Sequence, residues 1–287
     1  MGELAKGFTF QEVARIAAGF GQRLLQEGKD QVVVGHDARF LAREMAEEAA
    51  GVLSGMGLKT HLLQGPAPFP LFGYALHARE AAGLYLTASR KPPRFQGSSS
   101  AWRRGSPFPA KPHPARSPSG GQGKLRFPGP QEGVPGSSPA KRRGGAQGAP
   151  RGGLPGRHGG SWRGALGAGL QGLGLKAELR ELHTLPHPLF YGADPDPRPE
   201  NLKTLLALLK AQEPPALGFA LDGDADRLAA YRVGGEAVGE EEVLEALREV
   251  LEGLEVQGDG EGGFLFPWHL PEKDPYLAAL LLLRVLL

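Results

Sequence analysis

From 98 to 172 the chain shows no apolar periodicity, and this gap decides how the rest can fold. Gly, Pro, Ser and Arg dominate the stretch, and a segment so poor in apolar residues cannot offset the entropy of ordering it. One continuous core across all 287 residues is therefore excluded. The charge breaks at the same place. Between 98 and 163 there are 12 Lys and Arg against one acid, Glu132, which leaves 21 basic and 30 acidic residues for the remainder. The net charge of +2 thus hides a basic middle and acidic flanks. The expected organisation is a first region at 1–97, an irregular basic low-complexity segment at 98–172, a second region at 173–233 and a smaller third at 234–287. The abrupt edges of the middle are those a GC-rich gene would give if it were read out of frame there.

Both flanks alternate strand and helix signals, the mark of a layered α/β fold with mixed sheets. Thr9 with Glu12 forms a capping box ahead of apolar residues at helical spacing (Val13, Ile16, Ala17, Phe20, Leu24). Strands are expected at 32–34, 58–63 and 82–86, and a helix at 41–56 closed by Gly57. Order should return near Leu173, with strands at 176–182, 217–221 and 228–233 and helices at 201–212, 240–254 and 276–287.

There is no cysteine, which removes disulfides and thiolate metal sites and suits a reducing cytoplasm. No N-terminal stretch has the layout of a signal peptide, and the most apolar run, 277–287, is too short for a bilayer. A cytoplasmic protein with no membrane partner is expected, and the exposed apolar face of 277–287 should favour association. The basic middle, with Trp102, Phe108, Phe127 and Trp162 interspersed, carries a rival reading as a nucleic-acid-binding segment. A disordered basic stretch without a partner is preferred to it.

The sharpest chemical signal is D-G-D-A-D-R at 222–227, directly after the apolar strand 217–221. Asp222, Asp224 and Asp226 crowd three hard oxygen donors together, a set suited to Mg2+ and mutually repulsive without a cation. An acidic solvated turn is the plain alternative. A calcium loop is disfavoured, because the position that needs a bidentate glutamate is Val233. A second signal is L-T-A-S-R-K-P-P at 86–93, which sets Ser89 at the C-terminal end of a strand, where open α/β sheets hold ligands.

Taken with V-G-H-D-A-R at 34–39, D-P-D-P-R-P-E-N-L at 194–202, G-D-G-E-G-G-F at 258–264 and H-L-P-E-K-D at 269–274, these motifs resemble the α-D-phosphohexomutase family of phosphoglucomutases and phosphomannomutases, in the family's order. The resemblance covers 8–97 and 173–287. It implies a first domain with a phosphoserine loop, a second with a metal loop and a fragment of a third with a sugar loop. It also implies a hexose phosphate (glucose or mannose phosphate) as substrate, Mg2+ as cofactor, and phosphoryl transfer through the loop serine. On that resemblance Ser89 is the phosphoryl carrier and a metal ligand beside Asp222, Asp224 and Asp226, while Arg227, Asp259 and Arg39 bind substrate.

The chain departs from the family pattern at several points. Arg90 and Lys91 stand where the family has His and Asn, and arginine cannot shuttle a proton. Glu261 replaces the sugar-loop serine and is expected to repel a phosphosugar. The F-G-T-x-G-x-R-G opening is not found, part of the third domain is short, and the sequence stops before a fourth domain. Little or no mutase turnover is the expectation. A phosphatase using Asp222 and Asp224, or a remnant that only binds Mg2+ or a sugar phosphate, remain as alternatives.

Overall fold

The computed structural model describes residues 1–101, 154–155, 165–175 and 177–286. Most of the basic segment, and with it the aromatic residues of the nucleic-acid reading and the shifted-frame reading, lies outside the described residues.

The N-terminal part is built on Val-rich and Leu-rich strands too apolar to face water on either side. After the short β1 (Gly2–Glu3), Thr9 caps α1 (Phe10–Gln26), its hydroxyl accepting from the Glu12 amide at 3.2 Å. The Glu12 side chain turns to Arg15 at 2.8 Å. Then follow β2 (Gln31–His36), α2 (Ala42–Gly55), β3 (Lys59–Leu62), α3 (Phe69–Arg79), β4 (Ala82–Leu86), β5 (Phe95–Gln96) and β6 (Ser98–Ala101). β2 pairs in parallel with both β3 and β4, and β6 closes the edge antiparallel to β4, giving the order β3-β2-β4-β6. α1 and α2 bury Val13, Ala17, Leu24, Met45 and Leu53 against Val32, Val34 and Leu84. α3 covers the other face, where Phe72 and Leu76 pack on Val33 and Tyr85. The sheet is thus a central layer between helices.

The second part repeats the plan. β7 (Leu154–Pro155), α4 (Ala165–Gly172), α5 (Lys203–Lys210), β8 (Leu217–Leu221), β9 (Leu228–Arg232), β10 (Ala237–Val238) and α6 (Glu240–Leu251) precede a small hairpin of β11 (Gln257–Gly258) and β12 (Phe264–Leu265), then α7 (Pro275–Leu286). The sheet order is β10-β9-β8-β7, antiparallel except for β7 with β8. Leu205 and Leu209 of α5 cover one face with Ala220 and Tyr231. α4, α6 and α7 cover the other with Phe219, Leu228 and Leu247.

Several expectations are corrected. α3 was not signalled, because its apolar residues run all round rather than along one stripe, with Tyr74 left exposed on the side away from the sheet. The segment expected to be irregular is regular at both margins. β6 is a serine-rich edge strand that contributes backbone pairing rather than apolar side chains, so no hydrophobic pattern marks it. α4 buries Leu166 and Leu170, four apart, and Gly169 lets it approach Leu280 closely. Residues 177–182 form no strand; Leu179 and Leu182 are apolar because they pack as a connection on the two cores. The apolar α7 is not an exposed face, since every residue from Leu277 to Leu283 is buried. No helix among the described residues is long and apolar enough to cross a membrane.

Candidate functional site

The site forms where two wholly buried strands end. β4 delivers Thr87, Ala88 and Ser89, and β8 delivers 222–227. Apolar layers fix both strands, so their polar loops emerge at a defined place. The loops meet backbone to backbone: a Cβ at Gly223 would stand 2.5 Å from the Ser89 carbonyl oxygen, so glycine is required. The Phe69 amide, at the start of α3, donates to the Asp224 carbonyl at 2.8 Å and ties the acidic loop to the first sheet's helix. Ser89 and Ala225 have φ of 47° and 56°, a left-handed backbone that L residues hold only when their surroundings impose it.

Ser89 Oγ donates to Asp222 Oδ2 at 2.9 Å and accepts from Arg227 Nη1 at 3.0 Å. The same Arg227 nitrogen reaches Asp226 Oδ1 at 3.1 Å and Asp222 Oδ2 at 3.3 Å. Asp222, Asp224 and Asp226 each offer a carboxylate oxygen within 4.8 Å of the others. Burial, then the charge of Asp224, pushes the Asp222 carboxyl up to about 7. Burial and Asp226 push Asp224 up to about 6, and burial and Asp222 push Asp226 up to about 7. Arg227 offsets only part of this.

The residues present fit a hard divalent cation. All donors are carboxylate oxygens, their crowding is electrostatically costly as it stands, and Asp224 Oδ1 is buried without a hydrogen-bond partner. These three carboxylates with Ser89 Oγ could hold such an ion.

The residues named from sequence are not equivalent here. Ser89, the three aspartates and Arg227 converge. Arg39, expected to bind substrate, is buried and bonded within the protein. Its Nε donates to Asp37 Oδ2 at 3.0 Å, and its Nη atoms donate to the carbonyls of Ser89 (2.6 Å), Lys91 (2.7 Å), Pro92 (2.9 Å) and Phe95 (3.1 Å). All five guanidinium N–H groups are used, and Phe190 covers the group at 5.0 Å. Arg39 therefore shapes the serine loop from behind. Asp259 lies 4.0 Å from Arg227 Nε. Burial would raise its carboxyl, but Lys273 at 2.6 Å and the Glu261 and Gly263 amides, both at 2.8 Å, hold it below the usual carboxylate range.

The expected repulsion from Glu261 is also corrected. Its carboxylate pairs with Arg90 at 2.8 Å and lies 3.4 Å from Arg227, so the charge is compensated.

Sequence reasoning did not single out Asp37, Thr87, Lys273 and Glu240. Thr87 Oγ1 donates to Asp37 Oδ2 at 2.7 Å, lies 3.2 Å from Asp224 Oδ2 and accepts from the Ser89 amide at 2.8 Å. Burial raises the Asp37 carboxyl, against the pull of Arg39. Lys273 reaches Asp226 at 3.6 Å. Glu240, in the first turn of α6, accepts from the Gly260 and Gly262 amides, both at 2.7 Å, and holds the 258–263 loop. The signal for Asp37 and Arg39 was present as an acid and an arginine two apart beyond a buried strand.

A pair of α/β layers holding a serine against three carboxylates at adjoining strand ends defines the class. Comparison with known proteins narrows it. A family model described as phosphoglucomutase/phosphomannomutase, alpha/beta/alpha domain I, matches residues 2–114, and the corresponding domain II model matches 157–235. The chain belongs to the phosphoglucomutase/phosphomannomutase family. It is similar to a probable phosphoglucosamine mutase of Methanopyrus kandleri, 41% identical over 76 residues, which are 26% of this chain and 17% of that protein. A probable phosphomannomutase of Haemophilus influenzae is 32% identical over 87 residues, 30% of this chain and 18% of that protein. The aligned stretch is thus under a fifth of either relative's length. A solved structure from Thermus thermophilus, of a protein assigned as a phosphomannomutase, superposes with a TM-score of 0.78 at 28% identity, covering 99% of this chain and 77% of that one. A phosphoglucomutase/phosphomannomutase family protein from Burkholderia thailandensis gives 0.70 at 19% identity, covering 99% and 74%, a likeness of fold alone.

Proposed function

We propose that this chain is a phosphotransferase of the hexose phosphate mutase type, acting in the cytoplasm, in which Ser89 carries the phosphoryl group and Asp222, Asp224 and Asp226 hold Mg2+. The observation that supports it most is the hydrogen bond from Ser89 Oγ to Asp222 Oδ2 at 2.9 Å, with Arg227 Nη1 donating to the same serine oxygen. A serine hydroxyl is a weak nucleophile unless its environment favours loss of the proton. Asp222 Oδ2 holds that proton, and the Arg227 guanidinium stabilises negative charge on the oxygen. Bound Mg2+ supplies charge neutralisation for the phosphoryl group, the main requirement of this chemistry. In the transfer, Ser89 Oγ forms the new P–O bond as the P–O bond to the sugar breaks, and the departing sugar oxygen takes up a proton to balance the one that Ser89 passes to Asp222. Reversal at a second sugar hydroxyl completes a mutase cycle.

Turnover is proposed to be slow. Arg90, beside the nucleophile, stays protonated and cannot relay a proton to the sugar. The test is mass spectrometry of intact protein after incubation with glucose 1,6-bisphosphate and Mg2+. One added phosphoryl group on the wild type, and none on Ser89→Ala, is expected. An unmodified wild type would remove the proposal. Coupled assays with glucose 1-phosphate and mannose 1-phosphate then measure turnover and sugar preference.

A further inference from the structure

The Glu261 side chain meets both loops of the Ser89 site. Its Oε2 accepts from Arg90 Nη2 at 2.8 Å and stands 3.4 Å from Arg227 Nη2. Arg227 in turn donates to Ser89 Oγ through Nη1 at 3.0 Å. One carboxylate is thus held by two guanidiniums, one from the serine loop and one from the acidic loop, a single guanidinium away from the nucleophile. That is the environment of a bound anion, supplied from within the chain.

The backbone under Glu261 cannot easily withdraw. Glu240 holds the Gly260 and Gly262 amides at 2.7 Å each, and the Gly262 carbonyl accepts from the Leu228 amide at 2.8 Å. A Cβ at Gly262, whose φ is 87°, would come within 2.6 Å of the Leu228 carbonyl oxygen, so the loop is packed against the strand that follows the acidic residues. The Glu261 side chain itself is about half exposed, at 52%, and Arg90 is 30% exposed. A rotamer change at Glu261 would therefore release both cations without moving the loop.

We infer that Glu261 is a displaceable internal anion that gates the site: a phosphomonoester dianion must take Arg90 and Arg227 from it to reach Ser89. This rests on the proposed reading of the site as one that accepts a phosphate ester, and adds what selects for it. Solvent-exposed ion pairs are weak, so the contact can form in the free protein and still yield to a doubly charged ligand. A neutral sugar, with nothing to offer the two arginines, would leave the gate in place. Arg90 and Glu261 are also two of the positions at which the chain departs from the family's serine-loop and sugar-loop patterns, and here they meet each other.

The experiment is calorimetric binding of inorganic phosphate and of glucose 6-phosphate to the purified full chain, to Glu261→Gln, to Arg90→Gln and to the double variant. Both anions are used so that a preference for the ester over free phosphate is read directly. Glu261→Gln should bind both about fivefold more tightly than wild type, the size expected from losing a competing exposed pair. In the Arg90→Gln background the gain should fall below about twofold, because the principal cation being contested is gone. Glu261→Asp keeps the charge but shortens the reach, and should also gain affinity. Equal gains with and without Arg90 would mean simple through-space repulsion and would overturn the gate. So would the absence of any gain, including no binding by any of the four proteins. The readout is anion binding, so the gate can fail while Ser89 still accepts a phosphoryl group, and the converse.

Discussion

Asp224→Asn should stabilise the metal-free protein while abolishing its affinity for Mg2+. Asp224 is buried, and burial with the neighbouring Asp226 lifts its carboxyl from 3.8 to about 6. Its Oδ1 has no hydrogen-bond partner, and its Oδ2 faces the Thr87 hydroxyl at 3.2 Å, an interaction an asparagine oxygen can keep. A rise of about two pKa units corresponds to about 3 kcal/mol of disfavoured ionisation at neutral pH and above. The sign follows from the proton balance. With the folded value above the unfolded one, the folded chain binds more protons across the window between 3.8 and about 6. Stability is therefore greatest below that window and is lost as pH rises through it. Removing the charge returns that loss, about 5–10 °C in melting temperature for a chain of this size. The assay is thermal unfolding by circular dichroism in chelator at pH 8 and pH 4, repeated at pH 8 with excess Mg2+. At pH 8 without metal the variant should melt above wild type, and the gap should close at pH 4. With Mg2+ the order should reverse, because only the wild type gains linkage stabilisation. A variant that melts below metal-free wild type at pH 8, or a gap unchanged at pH 4, would refute the reading of the triad as electrostatically stressed.

Arg39→Met should cost about 3–5 kcal/mol in urea unfolding, since it leaves the buried Asp37 without its cation and takes a guanidinium donor from the carbonyls of Ser89, Lys91, Pro92 and Phe95. Gly83→Ala should cost about 1–3 kcal/mol in the same assay, because a methyl there would enter the space of Phe72 and Leu76. Glu240→Ala should expose the Gly260 and Gly262 amides to hydrogen exchange while leaving the β8 amides protected.

The layered architecture was legible because β2, β4 and β8 are short apolar runs that only a strand buried on both faces explains. α1 and α6 were legible from their one-sided apolar spacing. The elements that escaped are those whose pattern carries no side. α3 is apolar all round, and β6 is held by backbone pairing with β4. The acidic loop was readable because repulsion among three carboxylates at alternate positions is itself a reason for a cation. The neutralisation of Glu261 by Arg90 was not, because the two lie 171 positions apart and only the meeting of the loops joins them.

The same limit explains why Arg39 and Arg227, alike in sequence as arginines near an aspartate at a strand end, have opposite tasks. Residue type says that a guanidinium will find anions or carbonyls; it does not say whose. Donor accounting does. Arg39 has five N–H groups and five acceptors, three of them carbonyls of the loop that carries Ser89 in a left-handed conformation and a fourth the carbonyl of Phe95 in β5. That is enough to hold a strained backbone and leaves nothing for a ligand. Arg227 keeps Nε without a hydrogen bond, at 4.0 Å from Asp259, and directs Nη2 toward Glu261. Nε is buried, and the Glu261 side chain that Nη2 meets is half-exposed. One arginine therefore builds the loop and the other meets what enters, and the two substitutions separate these tasks. Loss of Arg39 should appear first in stability. Loss of Arg227, by contrast, removes the only cation bonded to Ser89 Oγ among the described residues, and should appear first in phosphoryl transfer to that oxygen.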